Sequence, residues 1–407
     1  MIVRCSAEVA AALRDGRPIV ALESTITSAL GLPAPHNRDC YDRVDRAIRA
    51  EGAIPALTGL LDGQLVAGVE PGDEGRLLDA TEKLAERDLY GAMASRLNAG
   101  VSTVSATVAI AHLAGIRVFA TGGIGGVHRG AESSFDVSSD LGALARHPVA
   151  VVSAGAKAFL DLAKTLEVLE TLSVPVLGFQ TDEFPAFWSR SSGLPLHHRV
   201  EHPEEVAANM TAAWSAGRRG GVLVANPIPH ADEIPSHEIA AAIEAGLAAA
   251  ASAGATGPAA TPRILAAIAE ATASRSIPAN LSLAVSNASL AAHQIALRLV
   301  RLERRPTTAH ALELAGLARR AADVAAGLAA RLEAGLNWDL VDVSLDGGEL
   351  VGKRPALGDT VLVETGEYRF VAPLELEPQD SHIRFQAAPG AHPLLLGSQK
   401  LIGWKLE

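Results

Sequence analysis

Cysteine is nearly absent from the chain, with only Cys5 and Cys40 in 407 residues. Two isolated thiols form neither a disulfide framework nor the paired spacing of a structural metal site, so a reducing, cytoplasmic setting is the expectation. Long apolar runs are also missing. No stretch of about 18 apolar residues is available to span a bilayer, and no charged start followed by an apolar core marks a leader. Basic residues are outnumbered, with 35 Lys plus Arg against 46 Asp plus Glu and a net charge of -11. A nucleic-acid polymer requires a basic face, which argues against that class of partner, whereas a small phosphorylated ligand needs only local charge.

What is present is apolar and small. At 48% hydrophobic residues and a mean hydropathy of +0.21, the chain can bury a large core, and its length suits one large domain with an appendage. Strand and helix signatures alternate through most of it. A helix is expected over Ser6 to Asp15 with Ser6 as N-cap, then a strand over Pro18 to Glu23 and a helix through Ala50 capped by Asn37. A hairpin about Asp62-Gly63 follows, then a helix over Asp73 to Arg87 and another over Ser102 to Leu113. Further strands are expected at Val118 to Ala120, Val149 to Val152, Pro175 to Thr181 and Gly221 to Ala225, with helices over Ser236 to Ala253, Thr261 to Ala273 and Ala279 to about Arg304. This pattern predicts a layered α/β/α core with a mostly parallel sheet over residues 1–305. Residues 306–335 read as a helical connector, and residues 336–407, with alternation in Asp339 to Leu345 and Thr360 to Val371, as a small β-rich module.

The block Arg117 to Lys157 concentrates the chemistry. Val118, Phe119 and Ala120 run into Gly122, Gly123, Gly125, Gly126 and Gly130. The spacing matches neither a dinucleotide fingerprint nor a P-loop, leaving a generic sugar-phosphate cradle or a plain tight turn. Asp136, Ser138, Ser139 and Asp140 precede a helix: either serine can cap it, and Asp136 can offer oxygen to a hard cation. After the next strand comes Lys157, expected at a helix start among Ala154, Ala156, Ala158 and Phe159. Those surroundings disfavour an ammonium, and a free amine attacks carbonyls to give an imine, unless the side chain reaches along its stem to water. Glu23, ending the strand Ile19 to Leu22, is a candidate acid whose burial would keep it protonated. His197, His198 and His202 invite a zinc reading, but no further ligand sits at a supporting spacing.

The motifs FATGGIGGVHRG, FDVSSDL and SAGAK, with ALESTI near the start and ANPIP further on, resemble the pseudouridine 5'-phosphate glycosidase family. The resemblance covers roughly residues 5 to 302. It implies reversible cleavage of the carbon-carbon glycosidic bond of pseudouridine 5'-phosphate to uracil and ribose 5-phosphate, an activity classed with the carbon-oxygen lyases in the synthetic direction. By the same matching, Glu23 would be the proton donor and Lys157 the nucleophile, with a divalent ion, usually manganese, at Asp136. Val118, Ser138, Ser139 and Asp140 would touch substrate, joined by His128 and Asn287. The family usually has a substrate-binding lysine near Asp88 to Asn98, where this chain has Ser95, Arg96 and Leu97, so Arg96 is the cation nearest that position. A homotrimer is implied as well. The competing readings are another imine-forming phosphosugar lyase of aldolase type and a sugar-phosphate-binding regulator without turnover.

Overall fold

The computed structural model describes residues 2–253 and 260–296 and six short strands between residues 343 and 397. The chain divides into two compact units, Met1–Leu302 and Glu303–Glu407.

One eleven-stranded sheet carries the first unit. Its strands are β1 (Val3–Cys5), β2 (Ile19–Leu22), β3 (Ile54–Leu61), β4 (Gln64–Ala67), β5 (Lys83–Leu84), β6 (Ala99–Ser102), β7 (Val118–Ala120), β8 (Ala150–Ser153), β9 (Val176–Phe179), β10 (His198–Val200) and β11 (Val222–Ala225). They lie in the order β1-β4-β3-β2-β7-β8-β11-β9-β10, with β6 branching from β3 and β5 pairing β6. All neighbours run parallel except β3 with β4 and β3 with β6. The mostly parallel sheet expected from the alternation is therefore present.

Composition explains the arrangement. Every residue of β2, β8 and β11 is buried, and strands covered on both faces read as unbroken apolar runs, as these do. The helix Val104–Ala114 is built of small residues and is buried from Val104 through Ala111. Short side chains let it approach the sheet closely, and Gly115, in the left-handed region at φ 81°, ends it. Ser6 caps the helix Ala7–Arg14 as expected, accepting a hydrogen bond from the Val9 N–H.

Three local expectations need correction. The helix predicted over Asp73 to Arg87 is only Glu74–Leu78, and its remainder is the strand β5 and a single 3-10 turn at Glu86–Asp88. Pairing of Lys83 and Leu84 with Val101 and Ser102 of β6 outweighs the local helical pattern. Asn37 is the second residue of the helix His36–Ala50 rather than its cap; Pro35 holds the cap position without a side-chain bond. The helix expected to begin at Lys157 begins at Leu162, because Asp161 accepts the Lys164 N–H and caps it there.

The last helix of the first unit runs over Ser276–Leu290 and continues as a π-helical turn over Ala291–Ala296. Its expected extension to Arg304 and the connector at 306–335 lie outside the described residues. In the second unit Val343–Asp346 pairs Glu349–Gly352 antiparallel, while Thr360–Val363 with Arg384–Ala387 and Glu367–Phe370 with Leu394–Gly397 pair in parallel. No described helix is long and apolar enough to cross a membrane.

Candidate active site

Strands β2, β6 and β7 deliver their C-terminal ends to one cleft, the place where open α/β sheets receive ligands. Its lining includes Glu23, Thr25, Lys83, Val104, Gly125, His128, Asp136, Ser138, Ser139, Asp140 and Lys157.

The turn after β7 is braced from within. The Thr121 N–H donates to Val152 O, the Ile124 N–H to Gly155 O, the Gly125 N–H to Asp140 Oδ2 at 2.8 Å and the Val127 N–H to Thr165 Oγ1 at 3.0 Å. These donors are therefore committed to the fold rather than offered to a phosphate, which corrects the open-cradle reading at these positions. Glycine is required at 125 because a Cβ there would lie 2.3 Å from Ser138 Oγ and 2.8 Å from Asp140 Oδ2.

A short antiparallel return presents the next group. The His128 N–H donates to Asp136 O and the Ser138 N–H to Gly126 O, with Val127 bridging Val137. Ser138 caps the helix Ser139–Arg146 through its hydroxyl, which accepts the Asp140 N–H at 3.2 Å. Asp140 is buried, and its second oxygen accepts the Ser105 N–H at 2.9 Å. Asp140 thus ties the glycine turn to the helix Val104–Ala114. Ser139 Oγ lies 3.1 Å from Ser105 Oγ.

Lys157 sits in the loop between β8 and the helix Leu162–Thr171. Its N–H donates to Ile124 O at 3.1 Å, and Ala156 bridges Ile124, so this loop lies alongside the glycine turn. Gly155 makes the approach possible, with φ 78° and a Cβ position only 2.2 Å from Pro185 O. Lys157 precedes the helix Leu162–Thr171 by five residues rather than opening it. Its electrostatic neighbours are side chains: Lys157 acts on Glu23, Lys83 and His128.

Glu23 follows β2 and is buried, with Thr121 Oγ1 donating a hydrogen bond to its Oε1. Burial pushes its carboxyl above the usual carboxylate range, opposed by the nearby Lys157 charge and the Thr121 bond. Burial likewise draws His128 below the usual histidine range; Asp136 opposes the shift, with its Oδ2 3.8 Å from His128 Nδ1.

Sequence reasoning missed Lys83. Burial lowers this lysine to about 8, with the Lys157 charge acting in the same direction and Glu23 and Asp140 opposing. Arg96, expected as the cation of this region, is not among the lining residues; it is exposed, in the left-handed region at φ 52°, with its Cα and Cβ packed against Gly63. Lys83 escaped notice because its segment read as helix. The signal available was the interruption at Asp79, Ala80 and Thr81, after which Lys83-Leu84 fits a buried edge pair.

Two other expected contacts also lie elsewhere. Val118 opens β7, buried and paired with Ala150, at the end of the strand away from the cleft; the valines lining the cleft are Val104 and Val137. Asn287 is fully buried, accepts from Asn226 Nδ2 at 2.9 Å and donates to Thr121 O at 2.8 Å. It holds the backbone of the residue whose hydroxyl grips Glu23.

As a cation site, the cleft offers Asp136, whose side chain is 29% exposed. Among the described residues no group of three or more His, Cys, Asp or Glu side chains converges. Such a donor set does not suit structural zinc, including at His197, His198 and His202, but it suits a hard octahedral ion that keeps most of its waters.

Comparison with known proteins adds a second line of evidence. Residues 8–298 match the family described as indigoidine synthase A like protein. The pseudouridine-5'-phosphate glycosidase of Methylobacterium nodulans is 51% identical over 294 residues, covering 72% of this chain and 86% of the relative. That of Nocardioides sp. is 52% identical over 288 residues, covering 70% and 93%. Among solved structures, a prealnumycin C-glycosynthase in complex with ribulose 5-phosphate aligns with a TM-score of 0.68 at 35% identity, covering 75% of this chain and 99% of that one. An indigoidine synthase A-like protein from Thermotoga maritima aligns at 0.66 and 33% identity, covering 74% and 97%.

Proposed function

The chain belongs to the pseudouridine-5'-phosphate glycosidase family, and from that premise we propose that it reversibly cleaves the C1'–C5 bond of pseudouridine 5'-phosphate to give uracil and ribose 5-phosphate. The observation that carries this reading is the meeting of a buried acid, Glu23, with two lysines, Lys157 and Lys83, in one cleft.

The bond is difficult because the base leaves through carbon, so protonating a leaving nitrogen is not available. An amine nucleophile answers this. Lys157 Nζ bonds to C1' as the C1'–O4' bond breaks, and Glu23 delivers a proton to O4'. The lysine nitrogen sheds a proton, and C5 of the base takes one up. The nitrogen lone pair then forms an imine to C1' while the C1'–C5 pair restores the C5–C6 double bond of uracil. Water releases ribose 5-phosphate and the free lysine. Lys83, with Ser138 and Ser139 at the start of their helix, offers charge and hydrogen bonds for the phosphorylated pentose.

Asp136 would hold a divalent ion of the manganese type, supplying positive charge beside the phosphorylated substrate. Asp136→Asn is expected to weaken Mn²⁺ binding by about 10-fold or more, measured by electron paramagnetic resonance of free Mn²⁺. Unchanged affinity would move the ion elsewhere.

The decisive assay is uracil release from pseudouridine 5'-phosphate, run beside deoxyribose 5-phosphate cleavage and borohydride trapping with ribose 5-phosphate. Uracil release with a trapped lysine supports the reading. Activity only on deoxyribose 5-phosphate favours an aldolase-type lyase, and tight binding of ribose 5-phosphate without an adduct favours a regulator.

A further inference from the structure

Beneath the cleft the sheet forks, and the fork is filled by hydroxyl groups. On one edge of β3 the partner changes from β2, which pairs through Leu57, to β6, which begins at Gly59. Thr58 lies at the change. Because β2 runs parallel to β3 and β6 antiparallel, their C-terminal ends meet head-on at Thr58. A ladder broken in this way leaves backbone groups without sheet partners, and buried polar groups must be satisfied.

Ser24, Thr58, Ser102 and Thr107, each fully buried, satisfy them. Thr58 Oγ1 donates to Leu22 O at 2.9 Å, closing the end of β2. Ser24 Oγ donates to Thr58 O at 2.7 Å and accepts the Ser102 N–H at 2.8 Å. Ser102 Oγ lies 2.9 Å from Thr58 Oγ1 and 3.0 Å from Thr107 Oγ1. From the next residue along, Thr25 donates to Ser102 O through both its N–H and its hydroxyl.

The two sides stitched together carry different parts of the site. Glu23 and Thr25 extend from β2. Lys83 rides on β5, registered through Leu84 opposite Ser102 of β6. No backbone ladder joins β2 to β6 directly. Among the described residues the hydroxyls bond across the gap, together with the Ser24, Thr25 and Ser102 amides.

We propose that Thr58, with Ser24 and Ser102, is a positioning residue that fixes the spacing between Glu23 on β2 and Lys83 on β5. This rests on the proposed reaction only for its kinetic consequence. A displacement of about 1 Å between reacting groups can cost about 10²-fold in rate. A threonine at the fork suits the task because its hydroxyl can both donate and accept, whereas valine fills the same volume without a bond.

The test compares wild type, Thr58→Val and Thr58→Ser as full chains in two measurements. In the first, kcat for uracil release falls by about 10-fold to 10²-fold in Thr58→Val with KM little changed, and Thr58→Ser restores most of it. The second needs no turnover: the pH profile of Lys83 labelling by an amine reagent, read by peptide mass spectrometry. Lys83 faces Lys157, Glu23 and Asp140, and burial draws it down to about 8. In Thr58→Val its midpoint moves toward the ordinary lysine value of about 10.4, as the fork loosens and water enters. Should Thr58→Val not fold, Ser102→Ala, which removes the hydroxyl shared by Ser24, Thr58 and Thr107, takes its place. Equal labelling midpoints in wild type and the bond-lacking variant overturn the proposal, as does a Thr58→Ser protein no better than Thr58→Val. A wild type that releases no uracil defeats the reaction assignment instead, and the labelling profile still decides the role of the fork.

Discussion

Lys157→Ala is expected to lose uracil release by at least about 10³-fold and to give no borohydride-trapped adduct with ribose 5-phosphate. The size follows from the chemistry. Without an amine at C1' there is no lone pair to form an imine as the C1'–C5 bond breaks, and the remaining groups can only bind and protonate. Truncation should cost little stability, because among the described residues the lysine ammonium makes no hydrogen bond or ion pair and the backbone N–H bond to Ile124 O is retained. A folded, ribose 5-phosphate-binding, inactive protein is therefore the predicted phenotype, checked by thermal melting, calorimetry and mass spectrometry of the borohydride-treated sample. Trapping that persists in Lys157→Ala would transfer the nucleophile to Lys83, the other lysine of the cleft.

How much of this was legible in the sequence depended on whether local pattern and tertiary partner agreed. The unbroken apolar runs of β2, β8 and β11 declare buried parallel strands by themselves, and the residues just after them, Glu23 and Lys157, could be placed at the ligand end without coordinates. Asp136, Ser138, Ser139, Asp140 and His128 line the same cleft because they follow the glycine turn within one short return of the chain. Lys83 was illegible for the opposite reason. Its segment carries a helical pattern, and only the distant strand β6, 18 residues on in the register Lys83↔Val101, makes it a strand. The setting of Lys157 is hidden in the sequence for a similar reason. Small residues after a strand suggest a helix start, yet Gly155 adopts a positive φ to let the loop pass Pro185, and the helix waits for its cap at Asp161. Asn287 illustrates a third case: a polar residue in an apolar helix marks something important, but only the tertiary fold brings it to Thr121 O and the Asn226 amide.

Glu23→Gln is expected to lower kcat/KM by about 10²–10⁴-fold, the range for removing a general acid, while leaving the protein as stable as wild type or more so. The amide keeps the acceptor that receives the Thr121 hydroxyl and nearly the same volume, so the buried site stays filled and bonded. What is lost is the proton for O4'. The stability sign follows from burial. The folded-state pKa of Glu23 is raised, so its contribution is fully present below the ordinary carboxylate value of about 4.3 and is lost as pH rises through the folded value. Glutamine does not ionise and escapes that loss. The melting temperature of Glu23→Gln relative to wild type should therefore rise with pH above the ordinary carboxylate range, and kcat/KM of the wild type should fall on the alkaline side as Glu23 surrenders its proton. That limb must vanish in Glu23→Gln. A Glu23→Gln enzyme that keeps both its rate and the same alkaline limb would assign the proton to another group, with His128, drawn below the usual histidine range by burial, next to be replaced.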